Sequence, residues 1–276
     1  MSPRPHLATI ETLMSFRIPR CVIASLFVGA SILGAQSSDR SVSGVQAAEA
    51  GTDKARALVQ EEARAVQSID RFAVSHQVDI TSTTPHYNQT THAYLKTWVQ
   101  RPGHVRAESQ QYTRSETIVS DGETTWVYDG GNRTYWKRRG GAPVELFSNA
   151  FPGLARKLSS ANLPLVMTSA RLAGTESLTI VGRSYLCDIV DVSVAPDASE
   201  NMLQDNMLRL WISRDYKVSL KVEATFIGAA PPDHKKYSDY VTDFEPNLNI
   251  PASTWTFQPP SDAKLRTGTT DGHSAN

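Results

Sequence analysis

Lys217-Val218-Ser219-Leu220-Lys221-Val222-Glu223-Ala224-Thr225-Phe226 is the stretch that decides the fold class. Val218, Leu220, Val222, Ala224 and Phe226 alternate with five polar residues. Successive side chains of a strand point to opposite faces, so this segment reads as a strand with one face on an apolar interior and the other in water. Such a strand belongs to an antiparallel sheet, because parallel sheets are covered on both faces and read as continuous apolar runs.

Period two recurs on both sides of it. Upstream, strands are expected at Ala73 to Thr81, Ala93 to Gln100, Val105 to Tyr112, Glu116 to Ser120, Thr124 to Tyr128 and Arg133 to Arg138. Asp121-Gly122 and Asp129-Gly130-Gly131-Asn132 are hairpin turns by composition. Strands resume at Leu178 to Val181, Tyr185 to Val194 and Met207 to Ser213, and continue after the quoted segment at Tyr237 to Phe244 and Thr254 to Phe257. Between the two runs, Gly140 to Leu165 breaks the pattern. Leu146, Phe147, Phe151, Leu154 and Leu158, punctuated by Pro143, Pro152 and Pro164, suggest one or two short helices there. About ten antiparallel strands with one wet face bury the other by curling or by taking helices on the inner side. The expected fold is mainly β (α+β), a strongly curved, incomplete antiparallel barrel with an N-terminal helix and a helical lid on its concave side.

The N-terminal region reads as an export signal. Met14 to Arg20 supplies positive charge, and Cys21 to Gly34 is an apolar run of signal-peptide length, too short to span a bilayer comfortably. Small-residue cleavage sites lie after Ala30 and Ala35. Residues 1–35 are assigned to the signal, 36–52 to a polar linker, 53–265 to one domain and 266–276 to a disordered tail. A helix is expected from Asp53 to Phe72, where Ala55, Leu58, Val59, Glu62, Ala63, Val66 and Ile69 recur at helical spacing. Of the two cysteines, Cys21 precedes the apolar core, which is not the place of a lipid-anchoring cysteine. Cys187 is then expected as a buried apolar residue of a strand. The mature protein is therefore expected in the periplasm, free of a lipid anchor.

Lys and Arg number 28, as do Asp and Glu. A formal charge of zero argues against nucleic acid, whose phosphates demand a basic excess. The chain carries no nucleophile elbow, zinc-protease helix, phosphate loop, Cys-x-x-Cys or dinucleotide fingerprint. Its seven histidines are scattered, and His86 and His92 read as solvated loop residues. Asp239 and Asp243 are spaced for one wet strand face. No catalytic residue, metal or cofactor is assigned. Trp98, Trp126, Trp136, Trp211 and Trp255 all fall in expected strands, either as core or as the lining of a site for an apolar ligand.

Trp98-Val99-Gln100-Arg101-Pro102, then Thr117-Ile118-Val119-Ser120-Asp121-Gly122-Glu123-Thr124-Thr125-Trp126-Val127-Tyr128, and finally Trp255-Thr256-Phe257-Gln258-Pro259-Pro260 carry a resemblance. In order and spacing they are similar to the LolA family of periplasmic lipoprotein carriers. That resemblance implies a half-barrel whose interior holds the acyl chains of a lipoprotein, or another lipid, during passage toward the outer membrane. The implied partners are an inner-membrane lipoprotein-releasing transporter and an outer-membrane receptor. A monomer is expected.

Arg101 stands at the arginine that in the family ties lid elements and keeps the empty cavity closed. The ligand-binding residues expected on this basis are Leu95, Val99, Arg101, Val105, Ala107, Trp126, Tyr128, Leu146, Phe147, Val218, Leu220 and Val222. Val105, Ala107 and Ser109 stand where the family has a bulky aromatic row, so a cavity of different volume is expected, hollow rather than packed. The alternatives are a structural or regulatory envelope protein of the same fold that senses lipid or lipoprotein, and a hydrolase on a curled sheet.

Overall fold

The computed structural model describes residues 41–111, 114–140, 158–199, 203–227 and 234–266. Helix α1 (Ser41–Ser68) comes first. Its inward stripe is Ala55, Leu58, Val59, Glu62 and Ala63, all less than 9% exposed. The helix starts twelve residues before the expected Asp53, so residues 41–52, read as a linker, are helical. Ala47, Ala48, Glu49 and Ala50 are strong helix formers, and they prevail over the small polar residues around them. The helix also ends earlier, at Ser68, and Phe72 belongs to the first strand.

The strands are β1 (Arg71–Thr83), β2 (Asn88–Gln100), β3 (His104–Gln111), β4 (Arg114–Asp121), β5 (Thr124–Asp129), β6 (Thr134–Arg139), β7 (Met167–Ile180), β8 (Arg183–Val194), β9 (Leu203–Ser213), β10 (Ser219–Ile227), β11 (His234–Pro246) and β12 (Lys264–Leu265). A one-turn helix α2 (Leu163–Val166) precedes β7. All twelve strands form one sheet in the order β12-β6-β5-β4-β3-β2-β1-β11-β10-β9-β8-β7. Two meanders thus meet at the β1–β11 seam. Every pairing is antiparallel except that of the two-residue β12, which runs parallel to β6.

The sheet is not closed, yet it is strongly curved at one end. Three strands separate β7 from β11, a span of roughly 19 Å in a flat sheet, but their Cα atoms come within 8 Å. Helix α1 packs along β7 inside that curl. The mainly β half-barrel with an N-terminal helix is therefore borne out. The expected lid residues Leu146, Phe147, Phe151 and Leu154 lie outside the described residues, as do the signal segment and residues 267–276.

The hairpin turns follow the sequence. The Asp121 carboxylate accepts from the backbone N–H groups of Glu123 and Thr124 at 2.9 and 2.8 Å, and Gly122 takes a positive φ of 93°. Asp129 likewise accepts from the Asn132 backbone and amide at 3.1 and 2.6 Å.

Two elements differ from expectation. Thr254 to Phe257 is not a strand: Ala252–Trp255 forms a 3-10 turn and the chain then runs on to β12. The apolar period there came from side chains that pack onto a sheet without joining it. Strand β7 begins eleven residues earlier than expected, because at the sheet's end most of its residues are exposed and need no alternation.

Two apolar clusters fill the curl. One joins Ala55, Leu58 and Val59 of α1 to Val190, Val192, Leu208, Leu210, Ala224 and Phe226. The other joins Ala65, Val66 and Ile69 to Phe72, Val99, Val218, Leu220, Val241 and Phe244. Val218, Leu220, Ala224 and Phe226 are buried and Val222 packs against the first cluster, as the alternation requires.

Their polar neighbours are less wet than expected. Lys221 lies 4.2 Å over the Trp211 ring, and a register shift near Ser219 turns that residue toward α1. Cys187 is fully buried in β8, and burial, followed by the nearby carboxylates, pushes its thiol pKa up to about 11.

Candidate ligand-binding face

Cross-strand partners share a face of a sheet, so the register sorts the expected site residues. Phe72, Val99, Val105, Ser120 and Thr125 form one row across β1 to β5. Val74, Thr97, Ala107, Ile118, Val127 and Trp136 form the next, across β1 to β6. His76, Leu95, Ser109 and Glu116 form the third. Phe72, Val74 and Val99 pack with α1, so all three rows lie on the helix side of the sheet. The first two rows are apolar or small, and Val105, Ile118 and Val127 make a cluster of their own. The third row is polar apart from Leu95.

Trp126 and Tyr128 do not join them. Trp126 shares its row with Arg106, Val119 and Lys137, on the opposite face. That face is covered by the chain after β11. The Phe257 ring lies 6.4 Å from Trp126, 6.4 Å from Tyr128 and 5.6 Å from Tyr135. Trp255 meets His104 at 5.5 Å, and Arg106 donates to the Thr254 carbonyl at 3.4 Å. These aromatics hold a C-terminal strap. Phe257→Ala is expected to lower stability by about 1–3 kcal/mol through the lost ring contacts. Thermal melting should show that loss, while binding of an acyl probe stays unchanged.

Val218 and Leu220 sit in the packed cluster beneath α1 with Trp211, Tyr185 and Phe244, and Val222 packs against the neighbouring one. They form core and do not line a hollow, because aromatic side chains from β8, β9 and β11 fill the space. Val99 is 1% exposed at the border of that core. Leu146 and Phe147 lie outside the described residues. Leu95, Val105 and Ala107 are the expected residues that the structure gathers beyond the core.

Arg101 follows the last residue of β2 and reaches the C-terminus of α1. Its guanidinium donates to the carbonyls of Val66 at 2.8 Å and Ile69 at 3.2 Å. The last carbonyls of a helix lack partners within the helix, and a cation there also suits the helix dipole. Arg101 thus pins α1 to the edge of the apolar rows. Arg101→Leu removes both bonds, and a loss of about 1–3 kcal/mol is expected. Hydrogen exchange should accelerate first at residues 62–69. Exchange unaltered there would show that the helix end is held by packing alone.

Sequence reasoning missed a polar cluster on the same face. The His76 imidazole Nδ1 lies 2.9 Å from Asp239 Oδ1, and the Tyr237 hydroxyl donates to Asp239 Oδ2 at 3.3 Å. The pair is about one quarter exposed, 27% for His76 and 25% for Asp239. Burial alone lowers the imidazole pKa, but the adjacent carboxylate outweighs it and holds the pKa above its ordinary value. Asp239 and Asp243 were expected on one wet face. A register shift opposite Ser75 and His76 turns them to opposite faces, and no sequence signal marks that shift. His92 is not a free loop histidine either: in β2 it meets Asp79 at 2.7 Å. Between His76 and Glu116 the sheet carries an open cavity of about 450 Å³.

Glu62 is the second miss. It completes the inward stripe of α1, yet it is a carboxylate 1% exposed. Oε1 accepts from Ser160 Oγ at 2.9 Å and from the Ser219 backbone N–H at 3.1 Å. Oε2 has no partner, nor has the buried Ser219 Oγ. Burial raises the Glu62 pKa, and these hydrogen bonds offset only part of the rise.

A family model described as "Predicted periplasmic protein (DUF2092)" matches residues 55–265. The chain belongs to DUF2092. The match spans α1 from Ala55 onward and runs through β12, so both the helix-side rows and the C-terminal strap are parts of the DUF2092 domain. The family description places the protein in the periplasm, and no described helix is long and apolar enough to cross a membrane.

Solved structures similar to this DUF2092 chain include LolA superfamily protein NE2245 from Nitrosomonas europaea, at 12% identity and a TM-score of 0.31, covering 74% of this chain and 97% of that one. An outer membrane lipoprotein-sorting protein domain from Vibrio parahaemolyticus stands at 10% identity and 0.32, covering 74% and 96%. MucB stands at 14% and 0.43, covering 75% of this chain and 64% of its own. At such identities and TM-scores these matches record a similarity and say nothing of what the chain does. No curated protein matches in sequence.

Proposed function

We propose that the protein is a periplasmic carrier that binds acyl chains of lipoproteins, or of another lipid, on the helix-side face and moves them toward the outer membrane. The observation that carries this reading is the pair of apolar rows, Val99–Val105 and Thr97–Ala107–Ile118–Val127, which extend the apolar core across β2 to β5 with small residues at their centre. Small side chains on a curved face leave room for a ligand where bulky ones would close it.

These rows are buried, Val105 at 1% and Ile118 at 7% exposure. That suits an empty carrier, whose loaded form has to uncover them, and Arg101, bonded to the end of α1, is placed to bias the two states. Burial of a methylene contributes about 0.8 kcal/mol, so long acyl chains carry a gross driving force of tens of kcal/mol. Observed affinities saturate near about 18–21 kcal/mol, and a carrier must also release its load. Covering the rows in the empty state offsets part of the gain. An inner-membrane transporter that loads the protein and an outer-membrane receptor that unloads it are the partners of this reading, in which the protein catalyses no reaction.

Titration with a fluorescent acyl probe tests it. Saturable binding is expected, and Ala107→Trp, which fills the middle of the second row, should weaken it at least tenfold. A probe that never binds the wild type contradicts the reading.

A further inference from the structure

Positive charge is concentrated at the β6 end of the sheet. Strand β6 closes on Lys137, Arg138 and Arg139, and β12 contributes Lys264, with Arg266 just beyond it. Neither strand holds a carboxylate, and all five cations are exposed, in a chain whose formal charge is zero. The carboxylates nearby are engaged or set apart. Asp262 pairs with Arg133 at 2.6 Å. Asp129 is held ionised by its Asn132 bonds and, more weakly, by Arg266. Glu123 stands past the last cation, where its carbonyl accepts from the Gly140 backbone. Among the described residues, Lys137, Arg138, Arg139 and Lys264 form no ion pair. A single edge cation can keep a strand from pairing with another chain, so this number calls for another reason.

The register fixes where they point. Arg138 lies opposite Thr125, and so on the helix side, at the end of the Phe72–Val99–Val105–Ser120–Thr125 row. Lys137 and Arg139 lie opposite Trp126 and Thr124, on the strap side. A ligand resting on either face would meet only part of this set, whereas a plane laid across the edge meets all of it. Leu265, exposed between Lys264 and Arg266, offers the same plane an apolar side chain. The second apolar row also ends at this edge, at Trp136. A hydrocarbon chain passing between a bilayer and those rows would cross it.

We propose that the β6–β12 edge docks on a bilayer surface rich in anionic phospholipid, with its cations on the phosphates and the ends of the apolar rows turned to the membrane. The choice of a membrane over an acidic protein rests on the carrier reading. Clusters of about four to eight Lys and Arg bind such surfaces through an attraction that salt screens.

Flotation with lipid vesicles tests it, using the protein as purified from the periplasm. Vesicles of phosphatidylcholine alone are compared at low salt with vesicles of equal parts phosphatidylcholine and phosphatidylglycerol. Binding to the anionic vesicles should be tighter by at least about tenfold and should weaken as salt rises. Lys137→Ser, Arg138→Ser and Arg139→Ser together should abolish the preference and keep the thermal midpoint, since all three side chains are exposed. Lys264→Ser with Arg266→Ser should reduce the preference and serves if the triple variant fails to fold. Lys54→Ser, Arg64→Ser and Arg183→Ser together make the same change in net charge elsewhere and should leave it intact. Equal binding to both vesicles overturns the docking edge, as does equal loss in the two triple variants. A wild type that ignores both vesicles but is held on immobilised polyglutamate, where the Lys137–Arg139 variant is not, overturns the membrane in favour of an acidic protein. An acyl probe that fails to bind while the vesicle preference persists overturns the carrier reading alone.

Discussion

Leu220→Gln should cost about 3–5 kcal/mol of stability, the largest effect expected from a single substitution in this chain. Leu220 is 1% exposed and packs with Phe72, Val99, Trp211 and Phe244. The change removes a buried apolar side chain and leaves an amide in a setting that offers it no partner, and both terms destabilise. For a domain of this size the thermal midpoint should fall by roughly 6–20 °C. Below that midpoint the variant should still bind an acyl probe, because Leu220 lies in the core and outside the ligand rows. A midpoint nearly unchanged, with binding abolished, would place Leu220 in a hollow and contradict the packed core.

The second large effect is one of pH. Glu62 has a native pKa raised by burial. Between the ordinary glutamate value and that raised value, the native state holds a proton that the unfolded chain releases. The contribution is therefore fully present below the unfolded pKa and is lost as pH rises through the native one. Protonation also answers a geometric need, because an O–H at Oε2 turns an unpartnered buried acceptor into a donor, and Ser219, whose Oγ also lacks a partner, already donates its backbone N–H to the same carboxylate. The neighbouring residue on α1, Glu61, pairs with Lys217 at 3.8 Å. Glu62→Gln reproduces the protonated form at every pH. It should raise stability above pH 7 by about 1–3 kcal/mol and flatten the decline between mildly acidic and neutral pH. Asp121, Asp129 and Asp191 act in the opposite sense. Their pKa values are lowered, so their contributions are present above the ordinary aspartate value and fade only in stronger acid. Chemical denaturation of both proteins from pH 5 to pH 8 decides it. Parallel curves would mean that Glu62 ionises without penalty.

Most of the sheet was legible because period two and turn chemistry are local signals. Asp121-Gly122 and Asp129 to Asn132 place two hairpins, and Val218 to Phe226 orients a strand. What stayed hidden depends on partners distant in sequence. The shift opposite His76 turns Asp239 inward and is set by the pairing of β1 with β11, over 160 residues apart. Trp126 looked like cavity lining because its composition could not say which face Phe257 covers. Strand β7 lies at the end of the sheet with most residues in solvent, so its sequence has no alternation to read. Residues 41–52 show a different limit: polar small residues suit a linker, yet the alanines among them favour helix. Arg101 was expected to tie lid elements, which lie outside the described residues, and its attachment to the carbonyls of Val66 and Ile69 came only with the fold.

Native mass spectrometry of the protein purified gently from its own periplasm decides whether it carries a lipid. A population heavier than the polypeptide by the mass of a lipid or acyl group is expected, released on unfolding and diminished in Ala107→Trp. Polypeptide mass alone, in wild type and variant alike, from a preparation that also fails to bind an acyl probe, would contradict it.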